Sequence, residues 1–166
     1  MKLDDDHLYH GGALIQIAEH EKFTAINTLK IGSKKFSNTY RINDDSAVFL
    51  KYATNPTPSH YEYVFTFTQD HISDLRSISK HCPKTYISLV CVKDREICCI
   101  THDDLVELIA SRKKSKGSPE DKYNILVTAP KGKQLKVYVN APGMKGHMLS
   151  LKNIARNAFP SVIFES

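Results

Sequence analysis

The sequence predicts an α/β or α+β fold, in which a mixed β-sheet of roughly six to seven strands carries three to four helices. Two observations lead to this prediction. Strand-like runs alternate along the chain with amphipathic stretches of helical period. Short clusters of turn-forming residues then divide several of the strand-like runs into hairpins. The 166 residues suit one domain over residues 1–166, because a chain of this length can bury a sizeable core.

The first helix is predicted over residues 12–22, where the stripe that begins at Leu14 recurs three, four and seven positions later. Residues 4–10 are polar and are expected to be a frayed segment or a cap. Residues 23–31 fit either a turn of helix or a connecting strand, and residues 32–38 are expected to form a polar, basic loop.

The central stretch reads as consecutive strands. Residues 40–42 and 47–53 flank the turn-forming cluster at 43–46, which predicts a hairpin. The two prolines within residues 55–59 cannot continue a central strand, because proline has no backbone N–H to donate. Residues 61–68 alternate cleanly between aromatic and other side chains, so this strand is predicted to anchor the sheet.

The second half of the chain repeats these patterns. Its predicted elements are, in order, a helix over 71–81 capped by Thr68 or Asp70, a buried hairpin of 85–92 and 96–100, a helix that starts after Thr101, an exposed loop over 112–121, a hairpin of 123–128 and 134–140, and a short helix over 151–155 after Ser150. The loop is predicted because residues 112–121 are rich in lysine and contain both glycine and proline.

Several function classes lack their sequence signals. No apolar run reaches the ~20 residues that cross a bilayer, and the acidic N-terminus lacks the features of a signal peptide, so we expect no membrane partner. Three of the four cysteines lie in apolar runs, which predicts reduced, buried thiols in a cytoplasmic protein. Metal-ligand spacings, phosphate-binding glycine loops and nucleophile motifs are missing from the sequence, so we expect no cofactor.

The net charge of +5 is unevenly distributed. Residues 1–109 carry 12 Lys/Arg against 15 Asp/Glu, whereas residues 110–166 carry 11 against 3. This split favours an anionic partner for the C-terminal part, nucleic acid being the commonest, although a solubilising basic face would look the same. Tyr138 could add base stacking. The candidate nucleic-acid contacts are Arg112, Lys113, Lys114, Lys116, Lys131, Lys133 and Lys136.

One stretch carries a resemblance to a known family. An acidic helix with Glu19 and Glu21 precedes strands that contain Asp44, Asp45 and Lys51. This order resembles the core of the restriction-endonuclease-like nucleases. In that family an Asp begins one strand, a Glu-x-Lys or Asp-x-Lys lies on the next, a helical Glu often completes the site, and the carboxylates hold a divalent metal.

The resemblance implies a catalytic set of Asp45, Lys51 and Glu21, with Mg²⁺ as the cofactor. The motif is degenerate, because Phe49 stands where the family has an acid two residues before the lysine. The leading prediction is therefore a non-catalytic, nucleic-acid-associated or partner-binding module. The alternatives are a metal-dependent nuclease acting on DNA or RNA, and a protein-interaction subunit whose hairpins offer sheet edges to a partner chain.

Lys51 has two readings. It lies in an apolar strand, on the face opposite Leu50, where it could snorkel to the sheet edge or pair with a carboxylate such as Asp44, Asp45 or Glu62. Alternatively, its charge is held for an anionic ligand.

Overall fold

A computed structural model describes residues 1–165 and shows a mixed α/β fold of nine strands in two sheets, with three α-helices. The elements are α1 (Asp5–Ala18), β1 (Ile26–Ile31), β2 (Lys34–Ile42), β3 (Ser46–Ala53), β4 (Tyr63–Thr68), α2 (Gln69–His81), β5 (Lys84–Cys91), β6 (Glu96–Thr101), α3 (His102–Lys116), β7 (Lys122–Thr128), β8 (Leu135–Ala141), β9 (Met144–Ile154) and a 3-10 helix (Ser161–Phe164). The mixed α/β class is confirmed. The strand number was predicted too low.

The first sheet has the strand order β1-β2-β3-β5-β6. Its first three strands form an antiparallel meander, in which Tyr40 lies opposite Val48, so the predicted hairpin around residues 43–46 is confirmed. The chain then passes through β4 and α2 before it returns as β5, which runs parallel to β3 with Phe49 opposite Ile87. The β5–β6 hairpin completes the sheet, as predicted.

The second sheet is antiparallel throughout, with the order β4-β7-β8-β9. The predicted strand over residues 61–68 is confirmed as β4, although it lies at an edge of this second sheet and does not anchor a single large one. Its Phe65 and Phe67 side chains point inwards with Ile125 and Val137 of the neighbouring strands, and they share one core with α2, α3 and the first sheet. That core is the main apolar volume of the fold.

A second core covers the opposite face of the first sheet. Ala13 and Ile17 of α1 pack there with Val48 and Leu50 of β3 and with Phe159 near the C-terminal end. Successive residues of β3 therefore point into two different cores, which explains why this strand is almost continuously apolar.

The helix starts follow their caps. Asp4 caps α1, and its carboxylate accepts a hydrogen bond of 2.9 Å from the backbone N–H of His7. Thr68 and Thr101 cap α2 and α3 in the same way, which confirms the predicted starts of both helices. The predicted start of the first helix at residue 12 was wrong. The helix begins at Asp5, directly after its cap at Asp4.

Three segments differ from the prediction. Residues 112–116 belong to α3, which ends only at Gly117, whose φ of +85° is the left-handed conformation of a helix C-cap. Residues 34–38 are part of β2, and residues 151–154, predicted as a short helix, belong to the long strand β9. In both of these strand segments, hydrogen-bonded pairing with a neighbouring strand outweighs the weak secondary-structure preference of the local sequence. In β9, for example, Ile154 lies opposite Leu135 of β8.

All four cysteines are free and buried, as predicted. Burial raises the pKa of the Cys99 thiol to about 12 and also raises the pKa values of Cys91 and Cys98, so these thiols are protonated at neutral pH. Nowhere in residues 1–165 is a helix both long enough and apolar enough to cross a membrane.

Candidate functional site

Lys51 lies near the end of β3, on the inner side of the first sheet. Its ammonium is 5.5 Å from the centroid of the Phe67 ring, an arrangement in which the cation is attracted to the ring face. The ring of His71 lies close by, with its centroid 6.1 Å from that of Phe67. Within residues 1–165 Lys51 has no salt-bridge partner, so pairing with Asp44, Asp45 or Glu62 does not occur.

The surroundings of Lys51 are unfavourable to its charge. Partial burial removes water from the ammonium and lowers the pKa of Lys51 from its usual value. The pKa of His71 is also lowered, first by burial and then by the nearby charge of Lys51. This cluster therefore presents positive charge among aromatic rings, with no carboxylate to balance Lys51.

The structure does not bring Asp45, Lys51 and Glu21 together. Asp45 directly precedes β3 and Lys51 lies six residues further along the chain, so at about 3.3 Å per residue they are ~20 Å apart. Asp45 instead forms a salt bridge of 3.4 Å with Lys84. Glu21 was predicted to be helical, but it follows the end of α1 at Ala18 and is exposed.

Glu21 also lies at the far end of β3 from Lys51. The backbone carbonyl of its neighbour Lys22 accepts a hydrogen bond of 3.0 Å from Asn43 in the β2–β3 turn. Mg²⁺ requires oxygen ligands at about 2.0–2.1 Å, and one ion cannot reach groups at both ends of this strand.

The positions around Lys51 do not supply the missing carboxylates. Phe49, two residues before Lys51, is paired across the sheet with Thr39 of β2, and Asn38 comes next along that strand. All three side chains are uncharged. Across residues 1–165 no three His, Cys, Asp or Glu side chains are grouped closely enough to hold a metal ion. The donor set therefore does not fit the Mg²⁺ that the nuclease resemblance implies.

The seven predicted basic contacts fall into two groups. Arg112, Lys113, Lys114 and Lys116 lie in the last turns of α3, beside the start of β7. Lys131 and Lys133 lie in the β7–β8 turn, and Lys136 follows on β8. Because β7 has seven residues, its two ends are ~20 Å apart, so the two groups occupy opposite ends of the second sheet.

Two residues of the first group have structural partners. The guanidinium of Arg112 donates to both carboxylate oxygens of Glu120, at 2.6 and 3.1 Å, and to the backbone carbonyl of Asn140 at 2.8 Å. Lys116 pairs with the same carboxylate at 3.2 Å. These contacts, led by the hydrogen bonds from Arg112, lower the pKa of Glu120 to about 2. Arg112 and Lys116 thus hold α3 to the loop that follows it.

The other lysines of the α3 group are available to a partner. Lys113 and Lys114 are exposed, and the structure shows no salt bridge for either within residues 1–165. The ammonium of Lys113 is 5.8 Å from the centroid of the Tyr123 ring, which orients it towards the start of β7. Both side chains therefore present charge at the same end of the second sheet.

The ring of Tyr138 is buried and is not available for stacking. Its side chain is 1% exposed, and its hydroxyl donates a hydrogen bond to the carboxylate of Glu62, which is itself 5% exposed. Burial, together with this hydrogen bond, raises the pKa of Tyr138. The prediction that Tyr138 adds base stacking was therefore wrong, because the ring faces a packed layer and not solvent.

A polar cleft of about 240 Å³ opens beside the last turn of α3. Lys122 and Lys145 line it, and both are exposed without a salt bridge among the residues that the structure describes. The side chains of Asn124 and Asn140 add amide groups. We call the four exposed lysines Lys113, Lys114, Lys122 and Lys145 the basic cluster.

Sequence reasoning missed Lys122 and Lys145. Each is a single lysine, one at the start of a strand-like run and one in a glycine-containing turn, and neither stands in a charged tract. Only the pairing of β7 with β8 and of β8 with β9 brings them to the same end of the sheet as α3. The acidic groups there are Glu120, which is already paired, Glu62, whose carboxylate accepts a hydrogen bond from Tyr138, and Asp121.

No protein-family model, curated protein or solved structure matches the chain.

Proposed function

We propose that this chain is a non-catalytic module that binds an anionic partner, with nucleic acid as the partner that the charge distribution favours. The observation that carries the proposal is the basic cluster. Lys122 and Lys145 line one cleft, and Lys113 reaches the ring of Tyr123 in its wall. Lys114 follows Lys113 on α3, and none of the four lysines has a carboxylate partner in the described chain. Phosphate groups need only such exposed charges for sequence-independent binding.

Lys131, Lys133 and Lys136 extend the proposed interface. They lie ~20 Å from the basic cluster, along the length of β7. A nucleic acid that contacts both groups would span about six base pairs, since duplex DNA rises about 3.4 Å per base pair. Arg112 and Lys116 contribute indirectly, by fixing the end of α3 through Glu120.

The experiment compares two charge-reversal variants by fluorescence anisotropy with a labelled 20-nucleotide single strand and a 20-base-pair duplex. Lys122→Glu combined with Lys145→Glu should weaken binding more than tenfold. The matched control, Lys22→Glu combined with Lys80→Glu, changes the net charge equally at exposed positions outside the cleft. Equal loss in both variants would show that overall charge, and not the basic cluster, carries the binding.

The proposal includes a nuclease-like core without an intact metal site. Support comes from the order of elements over residues 5–91, a helix, three antiparallel strands, a fourth strand that joins the second sheet, a helix and a parallel strand, together with Lys51 on β3. Phe49 occupies the acidic position of the motif. Incubation with plasmid and single-stranded RNA in Mg²⁺ or Mn²⁺ should give no cleavage. Cleavage that Lys51→Ala abolishes in a folded variant would favour the metal-dependent nuclease instead.

A protein partner is the second candidate, and β9 favours it. This strand of eleven residues pairs with β8 on one side only, and Met144, Met148 and Leu151 are exposed along it. An edge strand of this kind can accept a further strand from another chain. If β9 is the interface, binding should be insensitive to salt and should be lost on Met148→Lys, whereas reversal of Lys122, which lies on β7, should leave it unchanged.

A further inference from the structure

A groove lined by both apolar and polar side chains separates α1 from the outer face of the first sheet. Its walls include Leu8, Gly12 and Ala13 of α1, Val90 of β5, Ile97 of β6, and Phe159. The groove has a volume of about 320 Å³, which is near the lower end of the range for small-molecule sites. We call it the α1 groove. It lies on the opposite side of the first sheet from the core that this sheet shares with the second sheet.

The charges at the α1 groove are not balanced. Arg156 pairs with Glu96 at 2.9 Å and also donates to the backbone carbonyls of Lys133 and Pro130. Its hydrogen-bonding capacity is therefore used within the protein. Arg95 is exposed and has no salt bridge within residues 1–165, so one guanidinium at the groove remains uncompensated.

Two residues at the α1 groove are unfavourable for local structure. Gly12 lies in the interior of α1, where glycine is a poor helix former, yet a Cβ at this position would meet no atom within 4 Å. Arg95 has a φ of +55°, in the left-handed region that glycine and asparagine adopt more readily. The turn between β5 and β6 accounts for the conformation of Arg95, whose backbone N–H donates to the carbonyl of Val92 at 3.1 Å. The open space beside Gly12 and the exposed side chain of Arg95 both border the same groove.

We propose that the α1 groove binds a small aliphatic carboxylate. The hydrocarbon chain lies on Leu8, Val90, Ile97 and Phe159, passing the space that Gly12 leaves open, and the carboxylate pairs with the guanidinium of Arg95. The charge decides the class of ligand, because a groove that combines apolar side chains with one unpaired guanidinium favours an amphiphile of negative charge. This site is independent of the basic cluster.

The direct test is a titration of the ¹⁵N-labelled protein with sodium octanoate, followed by NMR shifts of α1, β5 and β6. Affinity should rise about fourfold for each methylene added from hexanoate to octanoate, because each buried methylene contributes a constant free energy. Octylammonium, which has the same chain and the opposite charge, should bind at least fivefold more weakly. Absence of saturable shifts with octanoate, or equal binding of octylammonium, would overturn the proposal.

A pair of glycine variants localises the site. Gly12→Leu should fill the groove and reduce octanoate affinity more than tenfold, whereas Gly11→Leu, at the neighbouring helical position, should leave it unchanged. Both variants should fold, because a side chain at either position starts in open space. Unchanged affinity in a folded Gly12→Leu variant would overturn the placement of the hydrocarbon chain.

A second pair tests the charge. Arg95→Gln should weaken octanoate binding about fivefold, in the range of an exposed ion pair. Lys93→Gln removes an exposed charge from the same turn and should have no effect, because Lys93 does not line the groove. Equal weakening in the two variants would show that Arg95 has no specific role.

Discussion

Replacing Tyr138 with phenylalanine removes a single hydroxyl from a place that water hardly reaches. Tyr138 is 1% exposed, and the carboxylate of Glu62, its one side-chain hydrogen-bond partner within residues 1–165, is 5% exposed. A hydrogen bond to a charged group contributes about 1.5–3 kcal/mol to stability, and the remaining carboxylate, 5% exposed at the wall of the polar cleft, regains little of it from water. We therefore expect Tyr138→Phe to lower the free energy of unfolding by about 2 kcal/mol.

The assay is urea unfolding followed by circular dichroism, supported by thermal unfolding. For a chain of this size a loss of about 2 kcal/mol should lower Tm by roughly 4–8 °C. Tyr61→Phe is the matched control, because Tyr61 is exposed and its hydroxyl has no hydrogen-bond partner in the described structure. The free energy of unfolding of this variant should differ from that of the unmodified protein by less than about 0.5 kcal/mol.

A double-mutant cycle with Glu62→Leu isolates the pair, because leucine offers the Tyr138 hydroxyl no acceptor. The two substitutions should be strongly non-additive, because either one alone breaks the same hydrogen bond. If Tyr138→Phe costs no more than the Tyr61 control, or if the two substitutions add, then Tyr138 does not bond to Glu62 and the buried position of its ring is refuted.

Three further predictions concern charged groups. Burial lowers the pKa of His10 below its usual 6.5, so the unfolded chain binds this proton more tightly and stability should fall as pH drops through 6.5. In the His10→Gln variant, the free energy of unfolding measured with urea should therefore depend less on pH between 7 and 5. An unchanged pH dependence would contradict this. The pKa of Glu120 is about 2, so the stability it contributes should be present above pH 4.5 and lost as pH falls towards 2; thermal unfolding of Glu120→Gln should lack that component. Lys51→Met should raise the free energy of unfolding by on the order of 1 kcal/mol, because it removes a half-buried charge without a carboxylate partner. If the substitution instead lowers the free energy of unfolding by that amount, the ammonium has a stabilising partner.

The fold could be predicted where local signals were strong. Residues 43–46 define a hairpin by turn chemistry alone, and the threonines at 68 and 101 define helix starts through their caps. The division into two sheets could not be predicted, because it depends on which distant strands pair. β4 pairs with β7, more than fifty residues further along the chain, and nothing in residues 63–68 indicates that choice.

The candidate sites show the same limit. The lysines of α3 stand in one charged tract and are visible in the sequence, although the prediction placed four of the seven basic contacts in a loop. Lys122, Lys145 and the partners of Arg112 become apparent only after β7, β8 and β9 are paired. For Tyr138 the sequence suggests an exposed ring, whereas the structure buries it. The alternating pattern of a strand shows which residues share a face of the sheet, but not whether that face is covered.

The salt dependence of nucleic-acid binding tests the central claim most directly. If all four lysines of the basic cluster contact phosphates, the logarithm of the binding constant for duplex DNA should fall with the logarithm of salt concentration at a slope of about −3.6, or more steeply where Lys131, Lys133 and Lys136 also reach the duplex. Affinity should then drop about a hundredfold between 50 and 200 mM salt, and the slope should become shallower by about two in the Lys122→Glu, Lys145→Glu variant. No binding at 50 mM salt, or a slope that this variant leaves unchanged, would contradict the proposal.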